Sequence, residues 1–300
     1  MSINRRTFIK GSTILLGGIL LQGNNRLTKF INENGNLRGI NNGIGVYNEK
    51  GGTIGWYMQD DMIVVIDSQF PDTAKNFFNS LQKSTNNKIN YLFNTHHHND
   101  HTKGNYFLKN FTDNIIAHKN CVRLQTETNA GNENNIVKAN ITFVDELKLT
   151  LTKEVITAKY FGQAHTGGDI VVHFENNNIA HLGDLVFNNI YPFIDNKGEC
   201  SVKEWAATLE RILKYFDNTT KFIFGHADSN ENVLGQRDDL IKMQNYLIAL
   251  YEYVYKNIKE GKNSEQIIET NTIPSFSNLK EVWEGARKMN LKATFEQIKV

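Results

Sequence analysis

Residues 92–104 read LFNTHHHNDHTKG. An apolar run at 89–93 has the length and composition of a short buried strand, and directly behind it stand His96, His98, Asp100 and His101. Three imidazoles and a carboxylate within six positions have the density of a metal site, because these donors suit zinc and its first-row neighbours. A loop leaving a strand can aim residues two apart at one point. The three consecutive histidines, His96, His97 and His98, superficially look like a purification tag, but a tag does not sit mid-chain behind a buried strand with an acid interleaved.

Working outward, the His-x-His-x-Asp-His stretch resembles the signature of the metallo-β-lactamase superfamily of metal-dependent hydrolases, a resemblance that implies further ligands at three later places in the chain. Sought there in the family's order, residues 162–169, GQAHTGGD, supply His165; residues 180–185, AHLGDL, supply Asp184 behind a strand-like run; residues 222–227, FIFGHA, supply His226 behind another. The resemblance covers roughly residues 40–260. The resemblance implies an α/β fold, a four-layer αβ/βα sandwich, with metals at the edge where the strand ends meet. By position, it implies that His96, His98 and His165 hold one metal and that Asp100, His101 and His226 hold a second, with Asp184 bridging. It further implies zinc, two per chain, with iron or manganese as alternatives.

In that arrangement two dications, two carboxylates and one bridging hydroxide sum to about +1, which welcomes an anionic or carbonyl-bearing substrate. Metal lowers the pKa of bound water to about 7, so no side chain need be the nucleophile. Asp100 is placed to orient the hydroxide and shuttle its proton. Residues 185–201, LVFNNIYPFIDNKGECS, form a loop long enough to reach the metal mouth, and Tyr191 is a candidate oxyanion or substrate contact, or else a packing residue with Pro192 and Phe193. Many β-lactamases of this family have cysteine or serine where Asp184 stands. An acid there is typical of relatives that cleave thioesters, lactones or phosphodiesters. The expected activity is therefore hydrolysis of a small ester, thioester, lactone or lactam; a mononuclear-iron persulfide dioxygenase and a non-catalytic metal-binding module are the alternatives.

The remaining histidines read as structural: His97 alternates away from its neighbours, His118 ends a strand, and His173 and His181 lie inside strand patterns. Asp67, at the end of the strand 62–66, either orients a ligand histidine or caps the next turn. Cys121 and Cys200 lack metal-ligand spacing and are expected as free buried thiols.

The rest of the chain supplies the frame. With 300 residues, 40% hydrophobic and 22% charged, there is ample core, and a formal charge of +1 gives no support for nucleic-acid binding. Strands are expected at 44–47, 54–58, 62–66, 114–118, 141–144, 147–151, 155–160, 170–174 and 179–182, with helices from Pro71, at 105–110, 121–128, 202–216 and 239–259. Ser201 and Glu204 form a capping box, and Trp205, Leu209, Ile212, Leu213 and Phe216 form a core stripe.

At the N-terminus Asn4, Arg5, Arg6, Thr7, Phe8, Ile9 and Lys10 resemble a twin-arginine export signal, followed by a weakly apolar segment too short to span a bilayer. That implies the export machinery as a partner and a periplasmic location. The expected organisation is an export signal and linker over 1–30, a catalytic domain over 31–261 and a helical extension without chemistry over 262–300, whose helices fall at 264–269 and 278–289 around Pro274. Oligomeric state is not legible.

Overall fold

The alternation of apolar side chains along the strands requires two buried faces on each sheet, and the arrangement satisfies both. The computed structural model describes residues 36–131 and 135–299; the twin-arginine stretch lies outside the described residues. The N-terminal half runs β1 (Leu37–Asn41), β2 (Ile44–Tyr47), β3 (Ile54–Gln59), β4 (Met62–Ile66), α1 (Pro71–Gln82), β5 (Tyr91–Phe93), α2 (Asn99–Thr102), α3 (Asn105–Leu108), β6 (Ile115–His118), α4 (Lys119–Thr128) and β7 (Ile141–Phe143). Its seven strands pair in sequence order, the first four antiparallel and the rest parallel.

The second half runs β8 (Glu146–Thr150), β9 (Val155–Tyr160), β10 (Ile170–Phe174), β11 (Ile179–His181), β12 (Phe187–Asn188), α5 (Val202–Tyr215), β13 (Lys221–Ile223), β14 (His226–Ala227), β15 (Leu234–Gly235), α6 (Arg237–Lys259), α7 (Ser264–Ile268) and α8 (Ala286–Lys299). Its six-stranded sheet has the order β15-β13-β11-β10-β9-β8, while β12 and β14 pair separately. Period-two alternation sorts the cores. Ile54, Trp56, Ile63 and Val65 face Ala74, Phe77, Phe78 and Leu81 of α1. Their neighbours Tyr57, Val64 and Ile66 face Ile156, Ile170, Val172 and Phe174 of the other sheet. Val171, Ala180 and Phe222 then face Trp205, Leu209 and Ile212 of α5 and Leu240 and Leu247 of α6. The order of layers is helix, sheet, sheet, helix, the expected αβ/βα sandwich.

The C-terminal segment departs from expectation. The helix expected at 278–289 begins instead at Ala286, behind Gly285 at φ 76°. Residues before it are drawn away by pairing: Lys280 N–H donates to Asn189 O (3.0 Å) and Tyr191 N–H to Lys280 O (3.2 Å). Nor is the segment a loose extension, since Ile267, Ile273, Ala286 and Leu291 are buried in the core with α5 and α6.

Candidate metal centre

Every donor singled out in the sequence leaves the C-terminal end of a strand on one edge of the sandwich. His96, His98, Asp100 and His101 follow β5 and enter α2; His165 follows β9; Asp184 lies in a 3-10 turn (Gly183–Leu185) after β11; His226 opens β14 just beyond β13. Strand ends converge there because parallel neighbours start their loops at the same edge, the usual place for a site in such sheets.

The seven side chains meet in two groups. His96 Nε2 and His165 Nε2 each lie 3.0 Å from His98 Nδ1. His226 Nε2 lies 3.1 Å from Asp100 Oδ2 and 3.4 Å from His101 Nε2. Asp184 stands between them, Oδ2 being 3.8 Å from His96 Nε2, 3.6 Å from His165 Nε2 and 3.4 Å from His226 Nε2, with Oδ1 3.1 Å from His101 Nε2. His96, His98, His165 and Asp184 form one group able to hold a cation, and Asp100, His101 and His226 another.

The surrounding hydrogen bonds decide which ring nitrogens are free. Asp67 Oδ1 accepts from Thr95 N–H, and its Oδ2 accepts from Thr95 Oγ1 and His101 Nδ1, all at 2.7 Å. Since the Thr95 hydroxyl gives its proton to Asp67, it can only accept from His96 Nδ1, 3.0 Å away. His98 Nε2 donates to Asp195 Oδ2 at 3.0 Å. His96 Nε2 and His98 Nδ1 therefore carry bare lone pairs, crowded at 3.0 Å. Such crowding is repulsive unless a cation lies among them, so the donor set fits a metal. Asp67 thus orients a ligand histidine; its φ of 63° is strained for a residue with a side chain. The sequence left its role undecided and gave no role to Asp195, which looked like an ordinary acid in a proline-containing loop.

Electrostatics point the same way. Burial, then the charge of His101, pushes His96 well below the ordinary imidazole range; burial, then His98, pushes His165 down to about 3. Burial works to raise Asp184 and Asp100, but neighbouring histidines, His101 foremost, outweigh it and hold both ionised. Burial would lower His101, yet Asp184, Asp67 and Asp100 together raise it. The centre favours positive charge. Glycine is needed where the backbone comes closest: a Cβ on Gly225 would lie 2.0 Å from Asp184 Oδ1.

Above the cluster opens a cavity of about 540 Å³, reached by His98, Asp100, Asp184 and His226 and walled by Phe187, Ile190, Phe193, Ala227, Val282 and Trp283, with Asn99 at its edge. Tyr191 is not among the wall residues. Its ring packs on Tyr246 (5.9 Å) in the core and its hydroxyl points to Phe276 O (3.5 Å), so the expectation of a substrate contact there is corrected. Ile190 and Phe193 of the same loop line the cavity instead. The C-terminal segment reaches the site through Val282 and Trp283, which wall the cavity.

The other histidines behave as structure. His181 Nε2 donates to Thr53 O and its Nδ1 accepts from Gly183 N–H, both at 3.1 Å; His118 stacks on Tyr160 at 4.1 Å. His97 is buried 4.0 Å from Asp195, with neither ring nitrogen hydrogen-bonded. Cys121 and Cys200 are buried and free.

Residues 56–251 match the metallo-β-lactamase superfamily. Among curated relatives, the type 2 metallo-β-lactamase of Elizabethkingia meningoseptica is 26% identical over 176 residues, 55% of this chain and 65% of its own length. That of Bacillus cereus is 26% identical over 182 residues, 60% and 69% respectively. Among solved structures, the stereoselective inverting sec-alkylsulfatase of a Pseudomonas species superposes with a TM-score of 0.71 at 13% identity, covering 87% of this chain and 49% of that one. The metallo-β-lactamase of Pontibacter korlensis gives 0.60 at 14%, covering 70% and 96%. The chain thus spans just under two thirds of the Elizabethkingia relative and about half of the alkylsulfatase. The family match covers well over half of the chain and contains all seven convergent side chains, and on that ground the chain belongs to the metallo-β-lactamase superfamily.

Proposed function

We propose that this protein is a metal-dependent hydrolase that holds two divalent cations, zinc in our reading, and cleaves a small ester, thioester, lactone or lactam. One observation carries the reading: the Asp184 carboxylate faces both groups of donors at once, 3.4–3.8 Å from His96, His165 and His226 and 3.1 Å from His101. A mononuclear centre needs no acid shared between two triads. His96, His98 and His165 would hold one ion, Asp100, His101 and His226 the other, and Asp184 both. Bound there, the cations supply an activated water and polarise the bond to be broken.

The chain's own groups do the rest. Asp67 and Asp195 fix the ring orientations, so the donors need little rearrangement on loading. Asp100, 29% exposed at the side chain and facing the cavity, is ionised at rest and can therefore accept a proton during turnover and pass it to a leaving group. Phe187 stacks on the His226 ring (5.4 Å, 11°) and keeps water from its flank. The export motif at residues 4–10 supports delivery to the periplasm by the twin-arginine route, with that machinery as partner.

Metal analysis of the purified protein, joined to turnover of a chromogenic ester and cephalosporin panel, tests the proposal. Two equivalents of zinc and chelator-sensitive turnover are expected; a single iron, or full turnover without metal, overturns it. Asp100→Asn is expected to lower kcat by about 100-fold or more.

A further inference from the structure

We propose that the part of the substrate remote from the cleaved bond is uncharged and apolar, and that Ile190, Phe193, Val282 and Trp283 are the residues that select it. This rests on the hydrolase reading above and names its substrate class. Apart from the donors of the metal centre, the cavity wall holds, among the described residues, only apolar side chains and Asn99, with no lysine or arginine among them. Positive charge is therefore available at the reacting bond and nowhere else along the wall. A carboxylate several bonds away from that bond would be desolvated against Phe193 and Trp283 with no cation to meet it, which costs several kcal/mol.

The apolar wall is continuous from the centre to the rim. Phe193 meets the ring of His98 at 5.6 Å and the indole of Trp283 at 6.4 Å, edge to face in both cases. Phe193 and Val282 are 38% and 51% exposed, among the large apolar side chains left open to solvent, and both border this cavity. Two of the four selecting residues come from the C-terminal segment, which is held in place on the loop after β12. Lys280 pairs through its backbone with Asn189 and Tyr191, and its ammonium lies 2.7 Å from Asp228, two residues beyond His226. The Lys280 ammonium is thereby committed to Asp228, and Val282 and Trp283, which follow in the chain, close the wall.

Zinc-loaded full-length protein assayed with p-nitrophenyl esters from acetate to octanoate, and with the glutarate half-ester as an anion of similar length to the pentanoate, tests the inference. The expected result is a kcat/KM that rises about threefold per methylene, near the transfer value for one buried methylene, and a pentanoate preferred over the half-glutarate by at least about 30-fold. Trp283→Ala flattens the rise. Val282→Lys, at an exposed position that folding tolerates, shifts the preference toward the half-glutarate. A flat chain-length series, or equal turnover of the two matched esters, with acetate still cleaved, overturns the inference and leaves the hydrolase reading standing. Should no ester be cleaved, the same comparison is made on thioesters of the same acyl series; no cleavage of any ester, thioester, lactone or lactam by protein of full metal content overturns both.

Discussion

At Gly225 the missing side chain matters more than most that are present. Its Cα passes so near Asp184 that a methyl group would displace Oδ1, while its N–H is bound to Gly183 O at 2.7 Å. Gly225→Ala is expected to keep the fold but retain less than roughly half of the native metal, read as metal per chain beside an unchanged far-ultraviolet circular dichroism spectrum. Asp195 acts at one remove. Asp195→Ala leaves the His98 Nε2–H without its acceptor, and zinc affinity, measured by competition with a chelating dye, is expected to fall about tenfold. Asp195→Asn, which keeps an acceptor oxygen, is expected to restore most of it. His96, His98, Asp100 and His101 were legible in the sequence as a density of ligand types behind an apolar strand, and His165, Asp184 and His226 through the family resemblance that this stretch carries. Asp195 and Tyr191 were not read correctly for a shared reason: in an irregular loop no periodicity says which side chain turns inward. Asp195 faces the His98 ring and Tyr191 the core, where the sequence offered the tyrosine and passed over the acid.

Among the elements, long strands and helices with a one-sided apolar stripe fell where their patterns put them, as in α1 and α5. The two-residue strands β12, β14 and β15 did not, being too short to alternate, although β14 carries His226. A turn between β8 and β9 hides a further device. Glu154 is fully buried and accepts from Val155 N–H (2.9 Å), Asn176 N–H (2.8 Å) and Asn177 Nδ2 (2.6 Å), tying this hairpin to the one between β10 and β11. Removing the carboxylate strands two backbone donors, so Glu154→Ala is expected to cost about 3 kcal/mol in urea unfolding. Ser201 at the start of α5 accepts from Glu204 N–H (3.3 Å), a single exposed cap, and Ser201→Ala is expected to cost only about 1 kcal/mol. The two values, taken on one denaturant series, separate a buried tie from a surface one.

For the whole molecule, the same burial that keeps histidines neutral makes stability depend on acidity. In metal-free protein His96, His97, His118, His165, His173 and His181 are all lowered, burial being the first cause in each. Below their ordinary value of about 6.5 the unfolded chain takes up protons that the folded chain refuses, so stability falls as pH drops through that point. His101 and His226 are raised, with acids outweighing burial; they favour the folded state at low pH and lose that effect only above about 6.5. Between about pH 7 and pH 5.5 His101 and His226 oppose the trend until the unfolded imidazoles are themselves charged, and so does Asp169, which burial lifts up to about 8, so that the folded chain holds a proton that the unfolded one releases. Six lowered imidazoles against two raised ones and one raised carboxyl leave a net loss on acidification. Urea unfolding of chelator-treated protein is therefore expected to show a lower midpoint at about pH 5.5 than at about pH 7, and reloading with zinc at neutral pH to raise the midpoint, since a ligand bound only by the folded state adds its binding free energy to stability. A midpoint that rises on acidification would show that these histidines take up protons inside the fold, and would remove the neutral-donor argument on which the metal centre depends.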